Sequence, residues 1–254
     1  MRVIGIVSGK GGVGKTTFVA NFGLALSNLG KKVVAVDCNI TTPHLGLNFG
    51  IYYSPLTLNN FLKGETSLQE IIYLHPTGLE IIPSSLVLDD LMGVDLEKIK
   101  LLLSELGTRN YEFVLLDSAP GMGKEAMSIL NNCSEIIYIT IPYMYALADI
   151  LRCSRMARRL GLNEIGIVLN MVKNSADELK VSQIEEISGL PVIAKIPFDK
   201  DFQITSAMGN PLINYKPNCK ASKEIKKLAA SLAGLAYEEK SFWRKIFDLL
   251  KRKK

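Results

Sequence analysis

The sequence predicts an α/β fold, a mostly parallel sheet of seven to eight strands with helices on both faces, followed by a C-terminal amphipathic helix. Three observations carry this. Short β-branched apolar runs alternate with longer amphipathic ones over most of the chain. Most short runs are continuously apolar, as strands buried on both faces must be. Glycines at 30, 107, 161 and 189 follow the long patterns, where helix C-caps are expected. Taken in order, the predicted strands cover 3–8, 33–37, 79–83, 113–117, 136–142, 165–170 and 192–197. The predicted helices cover 15–29, 96–106, 124–131, 145–160, 179–188, 202–208 and 222–237. Such alternation implies a parallel sheet with covered faces. No internal repeat or low-complexity linker interrupts it, so residues 1–238 read as one domain and 239–254 as a tail.

Composition narrows the function classes. Hydrophobic residues make up 48% and charged residues 22%, the balance of a folded chain rather than a disordered one. No apolar run approaches the roughly 18–20 residues that cross a bilayer. The opening run is too short, and too quickly followed by glycines, for a signal peptide. Cys38, Cys133, Cys153 and Cys219 form no CxxC pair. That argues against a zinc or iron–sulfur site and for buried free thiols in a reducing cytoplasm.

In an open α/β sheet the ligand lies beyond the carboxyl ends of the strands. Ser8, Asp37, Asp117, Asn170 and the 197–199 turn end the predicted strands and should converge there. The first strand is followed by Gly9-Lys10-Gly11-Gly12-Val13-Gly14-Lys15-Thr16-Thr17, which opens the first helix. This matches the P-loop pattern GxxxxGK[ST], and with its strand–loop–helix context it predicts a P-loop NTPase that binds ATP with magnesium. The glycines let successive N–H groups approach phosphate oxygens, and the helix N-terminus adds partial positive charge. Lys15 is expected on the β- and γ-phosphates, Thr16 on magnesium and Thr17 on the α-phosphate. Asp117 and Asp37 end apolar strands, where a carboxylate can hold the magnesium shell or simply cap the next helix. Asn170 offers a donor and an acceptor, which suits an adenine edge.

Lys10 lies at the rim of this loop, where one chain has little use for it. The sequence KGGVGKTT resembles the deviant Walker A motif of the MinD/ParA family of ATPases. Residues 36–39 resemble that family's first switch, 115–121 its Walker B and second switch, 168–170 its adenine-side strand, and 196–199 the loop over the base. The resemblance implies a homodimer that sandwiches ATP, with Lys10 reaching the partner's phosphates and Pro197 and Asp199 closing over the base. Two places depart: the second switch reads Ser118-Ala119-Pro120-Gly121 where the family more often has Pro-Ala-Gly, and at the first switch, where the family usually has Asp-x-Asp, the second position is Asn39. Asparagine can accept a hydrogen bond from water but cannot take its proton. Slow hydrolysis is therefore expected.

Net charge is +5. Residues 240–254 hold seven basic residues and one acid, leaving 23 basic and 24 acidic residues in the body. The basic character thus belongs to the tail, which seeks an anionic partner. At about 100° per residue, Phe242, Trp243, Ile246, Phe247, Leu249 and Leu250 fall on one face and Arg244, Lys245, Asp248, Lys251 and Arg252 on the other. This pattern suits a helix lying in a membrane surface. A docked last helix and a nucleic-acid arm are the alternatives.

The leading expectation is a MinD-like ATPase, cytoplasmic and peripheral on the membrane, that dimerises on ATP and positions a cellular structure such as a division site or surface organelle. An unidentified regulatory protein would read the dimer. Rivals are a ParA-like partition ATPase on DNA, disfavoured by the body's charge, a metal-cluster carrier, disfavoured by the cysteines, and a non-hydrolysing ATP-dependent scaffold, kept open by Asn39. Arg152, Arg155, Arg158 and Arg159 on one predicted helix could bind nucleic acid but read better as a solvated or protein-docking face. No nucleic-acid partner is expected. His44 and His75 have no ligand-spaced neighbour and read as loop residues.

Overall fold

The computed structural model describes residues 1–237. Its strands are β1 (Arg2–Val7), β2 (Val33–Cys38), β3 (Tyr73–Leu74), β4 (Glu80–Ile82), β5 (Phe113–Ser118), β6 (Glu135–Thr140), β7 (Asn163–Val172) and β8 (Val192–Pro197). They form one eight-stranded sheet in the order β3-β4-β2-β5-β1-β6-β7-β8. Every pairing is parallel except β3 with β4. The order reverses at β1, so the mouth of the crevice opens at that strand's carboxyl end.

The helices are α1 (Lys15–Asn28), α2 (Leu58–Lys63), α3 (Leu68–Ile71), α4 (Ile99–Gly107), α5 (Lys124–Asn132), α6 (Met144–Arg159), α7 (Val181–Ser188), α8 (Asp201–Ala207), α9 (Leu212–Tyr215) and α10 (Lys220–Leu232). The sheet separates two apolar layers. On one face Ile4, Ile6, Ala35, Leu115, Ile137 and Val168 pack with Phe18, Phe22 and Leu26 of α1 and Ile225 and Leu228 of α10. On the other face Val3, Val34, Val36, Leu116, Tyr138 and Leu169 pack with α2, α4, α5, α6 and α7. Adjacent strand residues go to opposite layers because successive Cβ atoms alternate, so a strand between two helical layers must be apolar throughout.

Several sequence expectations need correction. Gly107 was expected past a helix end but is the last residue of α4 and has no left-handed backbone; Gly30, Gly161 and Gly189 do adopt positive φ. The expected helix over 96–106 divides into a 3₁₀ turn at Leu96–Lys98 and α4. The expected helix over 222–237 begins at Lys220 and stops at Leu232, before Gly234 at φ 68°. Strand β3 and helices α2, α3 and α9 were unforeseen, because elements of two to six residues carry no readable period. Phe242, Trp243, Ile246, Phe247, Leu249, Leu250 and Lys251, the residues of the expected membrane face and its basic flank, lie outside the described residues, as does the rest of the tail.

Candidate nucleotide site

The loop between β1 and α1 is built by glycines with different duties. Gly12 and Gly14 take φ of 80° and 84°, where side chains other than glycine's are strained. A Cβ on Gly14 would also run into the Asn170 amide, and one on Gly9 into Asp149 of α6. The loop is thus clamped between β7 and α6. Asn170, near the end of β7, donates its amide to the Val13 carbonyl at 2.8 Å and so braces the loop from below. The Gly121 amide donates to the Ser8 carbonyl at 2.8 Å, which ties the loop's entry to the turn after β5.

The two strand-end aspartates stand side by side, because β2 and β5 pair in register with Asp37 opposite Asp117. Both are fully buried. Lys15, itself buried, makes an ion pair and hydrogen bond with Asp117 Oδ1. Asp117 Oδ2 is buried and has no hydrogen-bond partner. A buried carboxylate oxygen without a partner is costly in a protein alone and suits a cation's hydration shell, so the residues present fit magnesium. Asp37 is differently employed. Its Oδ1 accepts from the Asn39 amide at 3.2 Å and its Oδ2 from the Leu45 amide at 2.8 Å, so it staples the 39–45 loop from beneath. Burial, with the Asp117 carboxylate alongside, pushes the Asp37 carboxyl up to about 8. Burial and the same two carboxylates also push the Cys38 thiol up, so it is an inert filler of the strand end.

Asn39 turns its amide inward to its own loop. Its Nδ2 donates to the Thr42 carbonyl at 2.5 Å and its Oδ1 accepts from Thr42 Oγ1 at 3.1 Å. Thr41 next to it is held by Glu125 of α5, through its amide at 3.2 Å and through its hydroxyl. The loops after β2 and β5 are therefore joined by side chains as well as by the sheet.

A cavity of about 390 Å³ lies over the loop, lined by residues 10–17 together with Asn39, Thr42, His44 and Asn48. A second cavity of about 220 Å³ adjoins it, with Gly14, Thr17 and Ser206 common to both. Its walls are largely apolar: Phe18, Met171, Ile196, Pro197, Phe198 and Phe202, with Asn170, Asp199 and Gln203 as polar members. The structure thus brings together Lys10, Gly11, Gly12, Val13, Gly14, Lys15, Thr16, Thr17 and Asn39 at one cavity and Asn170, Pro197 and Asp199 at the other. Asp199 also caps α8, accepting from the Asp201 amide at 3.0 Å. Lys10 is exposed, and its ammonium sits 4.6 Å above the Tyr145 ring, which stacks on Tyr143 at 5.8 Å.

Sequence reasoning missed Thr42, His44, Asn48, Met171, Phe202, Gln203 and Ser206. The one usable signal was position: Thr42 and His44 follow a strand-end aspartate, where loops face the ligand side. Phe202, Gln203 and Ser206 depend on where α8 folds, Asn48 on the 3₁₀ turn at Gly46–Phe49 and Met171 on β7. Of the four arginines on α6, Arg158 is bound to Glu164 at 2.7 Å and Arg152 lies 3.7 Å from Asp149. His75 is a loop residue, with its Nδ1 at 2.8 Å from Thr77 Oγ1. Among the described residues no cluster of three His, Cys, Asp or Glu could hold a metal on protein ligands alone, and no helix is long and apolar enough to cross a membrane.

An amide-lined, lysine-bearing hollow for phosphates that opens through Thr17 into an apolar slot for a base is the layout of a P-loop NTPase. A family model for ParA, described as "NUBPL iron-transfer P-loop NTPase", matches residues 1–233, and the chain belongs to that family. The iron transfer in that description is said of the family model; in this chain Cys38, Cys133 and Cys153 are buried apart from one another along the sequence. An uncharacterized ATP-binding protein of Methanocaldococcus jannaschii is 35% identical over 235 residues, covering 92% of this chain and 89% of the relative. The solved structure of the cell division ATPase MinD of Pyrococcus furiosus aligns with a TM-score of 0.88 and 32% identity, over 92% of this chain and 99% of that one. The septum site-determining protein MinD of Pyrococcus horikoshii, solved with Mg-ADP, aligns with a TM-score of 0.87 and 31% identity, over 91% and 95% of the two chains.

Proposed function

We propose that this chain is a MinD-like ATPase that binds ATP with magnesium, dimerises on it, and associates with the cytoplasmic face of the cell membrane through residues 239–254 to position a cellular structure. The observation that carries the reading is Lys10, a second lysine at the open rim of the phosphate cavity, exposed and away from Asp117. A cation there can reach phosphates presented by a second copy of the chain. Thr16, Asp37 and Asp117 would hold magnesium, which when bound offsets phosphate charge. The loop amides and Lys15 hold the phosphates, and the slot by Asn170, Pro197 and Asp199 takes the base.

Membrane association follows from valency. Each basic residue near an anionic surface contributes about 1 kcal/mol, and one interfacial helix is a reversible anchor. Two on one dimer bind more tightly, because the second attachment is intramolecular. ATP would then recruit the protein and hydrolysis release it. Liposome cosedimentation with ADP, ATP and a non-hydrolysable analogue tests this on the intact chain and on one ending at residue 238. Pelleting of the intact chain with ATP but not ADP, lost on truncation, is expected. A truncated chain that still pellets with ATP sinks the membrane reading.

The tied amide of Asn39 favours a second reading, an ATP-dependent scaffold that hydrolyses poorly or not at all. Release of phosphate separates the two.

A further inference from the structure

Hydrolysis needs a water held against the terminal phosphate and a place for its proton. The candidates that the sequence offers are occupied elsewhere. Asp117 pairs with Lys15 through Oδ1 and has Oδ2 left for magnesium, Asp37 holds the backbone of the 39–45 loop with both oxygens, and neither carboxylate lines the cavity over the loop. Asn39 lines it, but both ends of its amide are bonded to Thr42. The remaining side chains on the cavity wall are lysines, hydroxyls, amides, the apolar Val13 and Pro120, and one imidazole. His44 lines the same cavity as the P-loop, and a neutral imidazole carries one ring nitrogen that can accept a proton.

The loop presents His44 deliberately. Its neighbours Pro43 and Leu45 are buried, and His44 between them is exposed. The Leu45 amide is fixed on Asp37, and Asn48 Nδ2 donates to the His44 carbonyl at 2.9 Å, so the backbone is held on both sides of the ring. The charged side chains that share the cavity with it are Lys10 and Lys15 of the P-loop. Glu125 of α5 faces the same loop but is bonded to Thr41, and Ser206 of α8 is neutral and bonded to Asn48.

We propose that His44 is a catalytic residue of this site, the group that orients the attacking water and takes its proton in place of the carboxylate that Asn39 lacks. The water oxygen bonds to the γ-phosphorus as the bond from that phosphorus to the β–γ bridging oxygen breaks. The proton passes to an imidazole nitrogen and then to solvent at the open edge, leaving ADP and phosphate. This rests on the reading that the chain hydrolyses ATP.

Single-turnover hydrolysis of magnesium ATP tests it on the full chain, on His44→Asn and on His44→Ala, with ATP affinity measured alongside. His44→Asn should lose about 100-fold in rate, with affinity changed less than about twofold. Added imidazole should restore part of the His44→Ala rate. A His44→Asn rate equal to that of the wild type overturns the proposal, as does His44→Ala that imidazole leaves unchanged. Wild-type protein that binds ATP and releases no phosphate overturns the hydrolysis reading and this one together.

Discussion

Asn39 and Asp37 show how much one side chain can redirect a loop. Asparagine at 39 closes the loop on itself by giving one hydrogen to Thr42 and taking another. Aspartate there would keep only the accepting half and would add negative charge to the phosphate cavity. Asn39→Asp should therefore raise the turnover rate above that of the wild type, which steady-state phosphate release measures; equal rates would show that Asn39 is not limiting. Asp37 makes a separate prediction in the nucleotide-free protein. Its folded-state value of about 8 lies above the ordinary carboxylate value, so the folded chain binds this proton more tightly than the unfolded chain. The contribution to stability is present in full below pH about 4 and declines as pH rises through about 8. Urea midpoints should fall from pH 5 to 8, and magnesium ADP should flatten that fall, because a cation at the paired carboxylates favours their ionised forms. A midpoint rising over this range would contradict the assignment.

At the scale of elements, the phosphate loop is a joint between β1, α6 and β7. Gly14 meets two demands at once, a left-handed backbone and contact with the Asn170 amide that braces Val13. Gly14→Ala strains the first and displaces the second. It should abolish detectable nucleotide binding by fluorescent-analogue titration and lower stability by about 1–3 kcal/mol. Gly12 has the same backbone but open space around it, so Gly12→Ala should be milder in the same titration. Equal losses would mean that backbone strain alone matters. The glycine spacing was legible in the sequence; which glycine touches which element was not, because β7 and α6 lie more than a hundred residues away along the chain.

For the whole molecule, the dimer proposed above rests on Lys10. Within one chain it rests on Tyr145, an exposed contact worth about 0.5–1 kcal/mol, weak enough for a phosphate to displace. Lys10→Ala should leave ATP binding to the monomer within a few-fold of wild type and remove ATP-dependent dimerisation, read by light scattering. An intact ATP dimer in that variant would end the role given to Lys10. The amino-acid sequence by itself determined the parallel α/β sheet, the loop at residues 9–17, the aspartates at two strand ends and the family, because each is a local pattern of period, glycine spacing or strand-end charge. It also marked Asn39 as a departure. Only the tertiary structure decided that Asp37 serves the 39–45 loop, that Asn39 is bonded to Thr42, that His44 lines the cavity over the P-loop and that α8 lines the adjoining apolar one. Those outcomes depend on the register that sets Asp37 against Asp117 and on loops folding over the carboxyl edge of the sheet, and contacts between distant segments leave no periodic trace in the sequence.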